Sequence, residues 1–553
     1  MVALSALERA LADGADGPAR AMALRIVAET ARVTGARRLI SIVSAHVDGC
    51  LDHGEAGLAF ATRLVEGGGR VAVPTTLNVG ALDLLHPGRV RGHAATRRRS
   101  HRLMAAYRAL GCRPSWTCAP YQAGHRPPPG AQVAWGESNA IAFVNSVLGA
   151  RSERYGDFID IAAAIAGRAP DFGLHRAENR RARLVVDVAA ISDRLKASDA
   201  FYPVFGAWLG AAVGETVAVI EGLPRHAVSE DRLKALGAAA ASTGAVALFH
   251  VAGVTPEAPD VASAGGGAVP KRRIMLDAAS LRAARDALST VGGAAIDAVA
   301  VGSPHFSAAE FAALDRLIAG RRPRVPIYAC TGRHALAEIE AEGRRAALAR
   351  AGVDRHRHLH RRRPDPARPR RRADDQFGQV RDLCAGQHRL GGGVRQPRGL
   401  RRLGLRGARR AGRKPVDMIA AEVLIDGTAK GRILKLDAPL GFWGGVDPAS
   451  GEIVDPRHPA RGRNVTGRIL VLPAIRGSSS SSAVLLELLA KGRGPAALIL
   501  GARDAILPIG VIVAREMDMG AIPVLLFPPE AQTALPDGAD AAIERGGGIR
   551  IRA

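Results

Sequence analysis

The residues best suited to chemistry stand in a few short polar stretches, several directly after an apolar run. Ser44-Ala-His46-Val-Asp48-Gly49-Cys50 brings together a hydroxyl, an imidazole, a carboxylate and a thiol, and Pro74-Thr75-Thr76-Leu77-Asn78-Val79-Gly80 adds further hydroxyls and an amide. Trp116 to Arg151 carries a thiol at Cys118, a Pro/Gly hairpin at Pro127 to Gly130, and the polar run Glu137-Ser138-Asn139 ahead of an apolar, helix-like segment. Gly302-Ser-Pro-His305 adds an imidazole, and far along the chain Arg476-Gly-Ser478-Ser-Ser-Ser-Ser482 runs straight into the helix-like Ala483 to Lys491. A thiol among hydroxyls and amides can hold a metal ion beside a polar substrate. A serine loop opening a helix offers free backbone N–H groups to a carboxylate or phosphate, and Arg476 adds charge. Taken singly, each stretch is as well explained by a turn, a helix cap or a buried cysteine. Their number, and their position after predicted strands, point to a site.

The elements that must position them alternate. Arg38 to Ala45, Arg70 to Thr76, Glu215 to Ile220, Ala245 to Ala252, Ala295 to Gly302 and Val325 to Thr331 read as strands, with helix-like segments such as Ala56 to Gly67 between them. Ser307-Ala-Ala-Glu310 is a capping box. This pattern predicts an α/β protein with a largely parallel sheet, whose ligands bind at the carboxyl ends of the strands. At 553 residues the chain exceeds one core, and it divides at 1–353, 354–417 and 418–553. The apolar stretch Ala496 to Ala514 is broken by Arg503 and Asp504, and no run reaches the roughly 18 apolar residues of a membrane span. With no leader-like N-terminus either, the expected location is the cytoplasm and no membrane partner is expected. Five cysteines, Cys50, Cys112, Cys118, Cys330 and Cys384, form no CxxC pair, which argues against a disulfide framework. The net charge of +25 suggests nucleic acid until it is located: Asp354 to Val416 holds 19 Arg and one Lys against five Asp and no Glu. A footprint for nucleic acid over the whole protein is absent, and no nucleic-acid partner is expected.

That segment interrupts the alternation. After the helix-like Arg333 to Gly352 a strand is due, and composition predicts none. A disordered basic linker, RNA-binding in the extreme, is one reading. A slipped codon phase is the other. Read one base later, the codons of Gln376 to His388 permit Asn-Ser-Gly-Lys-Tyr-Ala-Thr-Tyr-Ala-Pro-Gly-Asn-Ile. Those of Asp354 to His360 permit Thr-Val-Thr-Asp-Thr-Cys-Thr, and those of Val394 to Arg401 permit Phe-Gly-Ser-Leu-Ala-Asp-Cys-Val. A β-branched strand and additional cysteines return together. In that phase the codons of Met418 and Ile419 contain TGA, which would stop one protein where an ATG starts another, so the slip is placed near Gly352 to Asp354.

With these residues in view, the chain resembles the aconitase X family, in which a large catalytic subunit and a small swivelling subunit occur separate or fused. The resemblance rests on SAHVDGC (Ser44 to Cys50), VPTTLNVG (Val73 to Gly80), TCAPY (Thr117 to Tyr121), ESNAIAFVNSVLGAR (Glu137 to Arg151), GSPHFS (Gly302 to Ser307) and RGSSSSS (Arg476 to Ser482). It implies an aconitase-like catalytic portion packed on a smaller swivelling β/α domain, and a hydro-lyase acting on a small hydroxy acid. The first substrate implied is cis-3-hydroxy-L-proline, giving a pyrroline carboxylate; the second is mevalonate 5-phosphate. Iron is implied as cofactor, as an iron–sulfur cluster or a mononuclear ion. Ser478 is implied as base with Arg476 supporting its alkoxide, and Cys118 as iron ligand. Ser44, His46, Thr75, Thr76, Asn78, Glu137, Ser138 and Asn139 are implied as the substrate shell. The remaining ligand cysteines occur only in the shifted phase, so the chain as written is expected to bind iron poorly and to have little activity. Independent DNA reads across the codons for 352–418 are expected to reveal the shift; an unshifted frame with a stable product would reject it.

Overall fold

The polar stretches of the N-terminal part hang from three short parallel strands, with Ser44–Val47 in the middle, Thr75–Leu77 on one side and Val133–Trp135 on the other. A computed structural model describes residues 2–80, 82–87, 93–289, 292, 295–350, 352–356 and 418–552. Every residue of these strands is buried, as expected of parallel strands covered on both faces. The helix Pro18–Thr34 starts with proline at its first position and ends at Gly35 in the left-handed conformation, and it packs against Ile159–Ala166. Two more layers follow in sequence. Leu184–Asp187, Ala218–Glu221, Phe249–Val251 and Arg272–Met275 form a four-stranded parallel sheet. Val299–Phe306, Ile327–Thr331 and Val353–His356 form a three-stranded one. The fold is α/β with largely parallel sheets.

The last of these strands corrects an expectation. A strand does follow Gly352: Val353–His356 runs parallel to Ile327–Thr331, with Val353 opposite Ile327. Pairing uses the backbone, so composition alone does not prevent it. Residues 357–417, which hold most of the arginine-rich segment, Cys384 and most of the proposed shifted stretch, lie outside the described residues.

The C-terminal part is built on an eight-stranded mixed sheet. Its centre is parallel, with Ala429–Lys435, Ile469–Leu472, Ala497–Leu500 and Val524–Leu526 in that order. The serine run connects Ile469–Leu472 to the buried helix Ser481–Ala490. This part is not a loose appendage. Pro18–Thr34 packs on Leu507–Glu516, Glu55–Glu66 packs on Ser481–Ala490, and one apolar core continues across the joint. At its polar edge Arg25 pairs with Glu516 at 2.9 Å. Among the described residues no helix is long and apolar enough to cross a membrane.

One contact ties the two parts by a buried charge. The Glu487 carboxylate, on the C-terminal part, accepts from the Ala56 N–H at 2.9 Å, within the first turn of Glu55–Glu66. Anions are favoured there by the unpaired N–H groups and the helix dipole. Gly54 precedes that helix at φ +150°, and a Cβ there would collide with the Glu487 carboxylate. Glu487→Ala is therefore expected to lower stability by about 1–3 kcal/mol, measured by denaturant unfolding. A smaller effect would mean that the carboxylate does not hold the joint.

Candidate active site

Parallel pairing sets His46 opposite both Thr76 and Trp135, so the three share one face of the sheet. Thr76 Oγ1 lies 2.8 Å from His46 Nδ1 and 2.8 Å from Nδ1 of His125, which follows the short turn Pro120–Ala123. A hydroxyl has one proton, so it donates to one ring and accepts from the other. With both rings neutral they are opposite tautomers, one presenting a bare Nε2 and the other an Nε2–H. Both are held neutral. Burial, then His125, push His46 well below its usual range, and burial, then Arg113, bring His125 to about 4.

Just past His46 stands a nest of acids. Asn78 Nδ2 donates to Asp48 Oδ1, and Ser479 Oγ of the serine loop donates to Asp48 Oδ2 at 3.2 Å. The Asp48 N–H donates to Asp160 Oδ2 at 2.7 Å, and the Asp157 N–H to the Ser479 carbonyl at 3.2 Å. Ser482 Oγ in turn reaches the Asp157 carbonyl at 3.3 Å. Gly136 permits this packing, since a Cβ there would lie 2.6 Å from Asp160 Oδ2. Burial raises all the acids. Asp160 is brought to about 7, Asp157 is pushed well up by burial and then by Asp48 and Asp160, and Asp48 rises through burial. Glu137 reaches about 8, through burial and then Asp48.

Glu137 caps the helix Ser138–Ser146 from a left-handed backbone (φ 69°), accepting from the Ala140 N–H at 2.8 Å. Such a conformation is strained for glutamate and common at functional sites. Beside it, Asn139 donates to Glu137 and, at 2.8 Å, to the Cys118 carbonyl, while accepting from Tyr121 OH at 2.9 Å. The Cys118 sulfur accepts from the His305 N–H at 3.3 Å, and burial keeps its thiol protonated. Ser480 N–H donates to Ser478 Oγ at 3.2 Å, and Arg476 faces Asp455 at 3.6 Å. The enclosed space beside the loop, lined by Gly49, His53, Asp157 and Ala483 among others, is about 10 Å³, room for a single water. Ser44 Oγ, His46 Nε2, His125 Nε2 and Asn78 Oδ1 are buried without a partner among the described residues. So many unmet polar atoms in one region mark a place for a polar ligand.

Four family profiles match the chain in succession: "Aconitase X first domain" at residues 1–178, "Aconitase X second domain" at 182–286, "Aconitase X third domain" at 296–356 and "Aconitase X swivel domain" at 418–551. The chain belongs to the aconitase X family. It is 44% identical over 352 residues to a cis-3-hydroxy-L-proline dehydratase of Pseudomonas aeruginosa, across 63% of this chain and 60% of that protein. A phosphomevalonate dehydratase large subunit of Methanothermobacter thermautotrophicus is 37% identical over 334 residues, across 60% of this chain and 80% of the subunit. The crystal structure of the holo-form of Thermococcus kodakaraensis aconitase X superposes with a TM-score of 0.57 at 32% identity, covering 64% of this chain and 87% of that one. The chain spans about 60% of the length of the first curated relatives it matches.

Within this aconitase X fold, the swivel-domain loop and the first domain meet at Asp48. The structure gathers His46, Thr76 and Asn78 there, with Ser44 on the same strand face as His46. Glu137, Asn139 and Cys118 form an adjoining group, while Ser138 opens the helix. Thr75 stands apart. It alternates to the opposite face from Thr76, and its hydroxyl donates to the Val73 carbonyl at 2.8 Å. Sequence reasoning left Asp48 and Ser479 inside its motifs without a role and did not single out Asp157, Asp160 or His125. Asp48, two residues after His46 and so on the same side of an extended run, was the legible signal.

The aconitase X family implies iron, and the described residues do not fit it. Among them no three His, Cys, Asp or Glu side chains converge as a metal site requires, and Cys118 stands outside any such group. A cluster needs several thiolates.

Acids whose folded-state pKa is raised stabilise the fold fully below their unfolded values near 4, and the contribution is lost as pH climbs through the folded values. For Asp160 and Glu137 that window runs from about 4 to about 7 and 8. Unfolding free energy is expected to fall across it, and Asp157→Asn is expected to flatten the slope and raise stability near pH 8 by about 1 kcal/mol or more. Denaturant unfolding at several pH values checks this, and a parallel pH profile in the variant would count against buried protons.

Proposed function

We propose that the chain carries the fold and part of the site of a hydro-lyase that removes water from a small hydroxy acid, cis-3-hydroxy-L-proline being the substrate best supported. The observation that carries the proposal is the swivel-domain serine loop closing on Asp48 at the carboxyl end of the Ser44–Val47 strand. Likeness to the Pseudomonas aeruginosa dehydratase supports the substrate. So does charge: a ring ammonium would favour ionisation of the buried acids beside it and pair with them, whereas a phosphate monoester would meet no cation among those acids and neutral imidazoles. The likeness to phosphomevalonate dehydratase large subunits favours mevalonate 5-phosphate as the second reading.

Elimination needs a base for the proton beside the substrate carboxylate and help for the departing hydroxide. Ser478 is proposed as the base. An ordinary serine is far too weak, but here a backbone N–H points at its Oγ and the loop opens the N-terminus of Ser481–Ala490, both of which favour an alkoxide. Arg476 would bring positive charge to the loop mouth for the substrate carboxylate. The opposed tautomers of His46 and His125 offer an acceptor and a donor for the ammonium and hydroxyl, and Asn78 fixes Asp48, two residues beyond His46. Ser44, Thr76, Glu137, Ser138 and Asn139 line or support the shell, with Asn139 fully engaged in orienting Glu137 and Cys118. Thr75 is left out of it by its orientation.

Assistance to the leaving hydroxide is the missing part, because the described donors do not make an iron site. The out-of-phase segment is proposed as the reason, and matched family segments that end at 356 and resume at 418 support it. The test is to purify the chain as written and a phase-corrected pair, then measure iron and the dehydration of cis-3-hydroxy-L-proline and mevalonate 5-phosphate. The corrected pair is expected to hold iron and dehydrate the hydroxyproline, and Ser478→Ala in it to lower kcat by about a hundredfold or more. Equal iron and activity in both forms would refute the proposal.

A further inference from the structure

We infer that a polar groove on the first domain, away from the serine loop, binds a compact oligoanion carrying adjacent phosphate or carboxylate groups. The groove has a volume of about 530 Å³ and takes arginines from separate segments: Arg37, Arg38, Arg151 and Arg176. It lies at the amino end of the Val133–Trp135 strand, beside Gln132, whereas Glu137 follows the carboxyl end. It is therefore at the opposite end of the strands from the site described above.

Its charges do not cancel. Asp171 takes Arg38 at 2.8 Å and Arg176 at 3.4 Å, so one carboxylate serves both guanidinium groups, and they hold it below its usual range. Arg37 and Arg151 form no ion pair with any described residue. The other acid of the lining, Glu178, is exposed. Arg151 Nε is moreover shut off from water with no acceptor among the described residues. A buried donor left unmet is costly, and folds rarely keep one without a partner from outside the chain.

The floor cannot supply that partner. His175 Nδ1 lies 2.6 Å from Gln132 Oε1, its Nε2 lies 2.6 Å from Tyr155 OH, and Gln132 Nε2 donates to the His175 carbonyl. Burial brings His175 to about 3, so it stays neutral. The Arg151 backbone is clamped to the strand edge, donating to the Ala131 carbonyl at 2.8 Å and accepting from Val133 at 2.9 Å. The side chain is thus held on a rigid element facing the groove, where a guanidinium fork matches phosphate or carboxylate oxygens. Ile40 and Ala177 are the apolar residues of the lining, and apart from His175 it offers no ring face for a base or sugar. That selects a compact anion with linked charged groups.

The test uses the full chain as written and does not depend on dehydratase activity. Isothermal titration with pyrophosphate and with citrate, against potassium chloride at matched ionic strength, is expected to show saturable one-site binding of at least one anion. Arg151→Gln is expected to weaken it about tenfold or more. Arg37→Gln, on an exposed side chain, should weaken it as well and covers the case where the first variant fails to fold. Arg285→Gln, at an exposed arginine paired with Asp286, should leave it unchanged. Tighter pyrophosphate or tighter citrate binding supports the inference and tells phosphate from carboxylate recognition. No saturable binding of either anion, equal weakening by Arg285→Gln, or the same response to chloride would overturn it.

Discussion

Several carboxylates buried beneath one hydroxyl-rich loop impose the constraint on which this molecule turns. An isolated buried carboxylate is strongly unfavourable, yet Asp48, Asp157 and Asp160 are all enclosed where the swivel domain meets the first domain. They are tolerated because burial shifts each toward its neutral form and because Asn78, Ser479 and backbone N–H groups supply donors. One of those donors belongs to the other domain. Closing the joint removes water from the acids, and Ser479 only partly replaces it. The polar atoms left unmet beside the loop are where further donors would complete that exchange.

The relay at Thr76 shows how strand register becomes chemistry. A slip of one residue in the pairing of Ser44–Val47 with Thr75–Leu77 would place Thr75 opposite His46 on the imidazole face and turn Thr76 to the other side of the sheet. Register therefore decides which of two adjacent threonines joins the imidazoles. The same register sets Trp135 against both rings, at centroid distances of 5.8 Å from His46 and 4.9 Å from His125. That wall excludes water and helps keep both imidazoles neutral, which is what gives the pair unlike ends.

Much of the fold was legible from alternation, and the errors have physical causes. Ala295 to Gly302 was read as a strand that in fact spans Val299–Phe306, because GSPHF looks like a loop and its apolar content is low. Leu184–Asp187 and Val133–Trp135 lay outside the expected strands, being runs of four and three residues with little periodicity to detect. From the motif stretches the structure brings His46, Thr76 and Asn78 together, with Glu137 in the adjoining group. Asp157 and Asp160 were hidden at the start of an apolar helix, where a single sequence gives no reason to prefer a site over a capping role. His125 sits in a Pro/Gly-rich turn seven residues after Cys118, and only tertiary contact with Thr76 reveals it.

Fold and chemistry respond differently to a slipped codon phase. The strand Val353–His356 pairs through backbone groups, which are the same for any sequence that avoids proline, and Val353 suffices to join the core of its sheet. Metal binding has no such tolerance, since it needs particular side-chain atoms at particular positions. Under the proposed slip the third sheet would still gain Val353–His356 through its backbone, while the side chains needed beside Cys118 would be lost. The architecture then persists up to the point where side chains, and not backbone, must do the work.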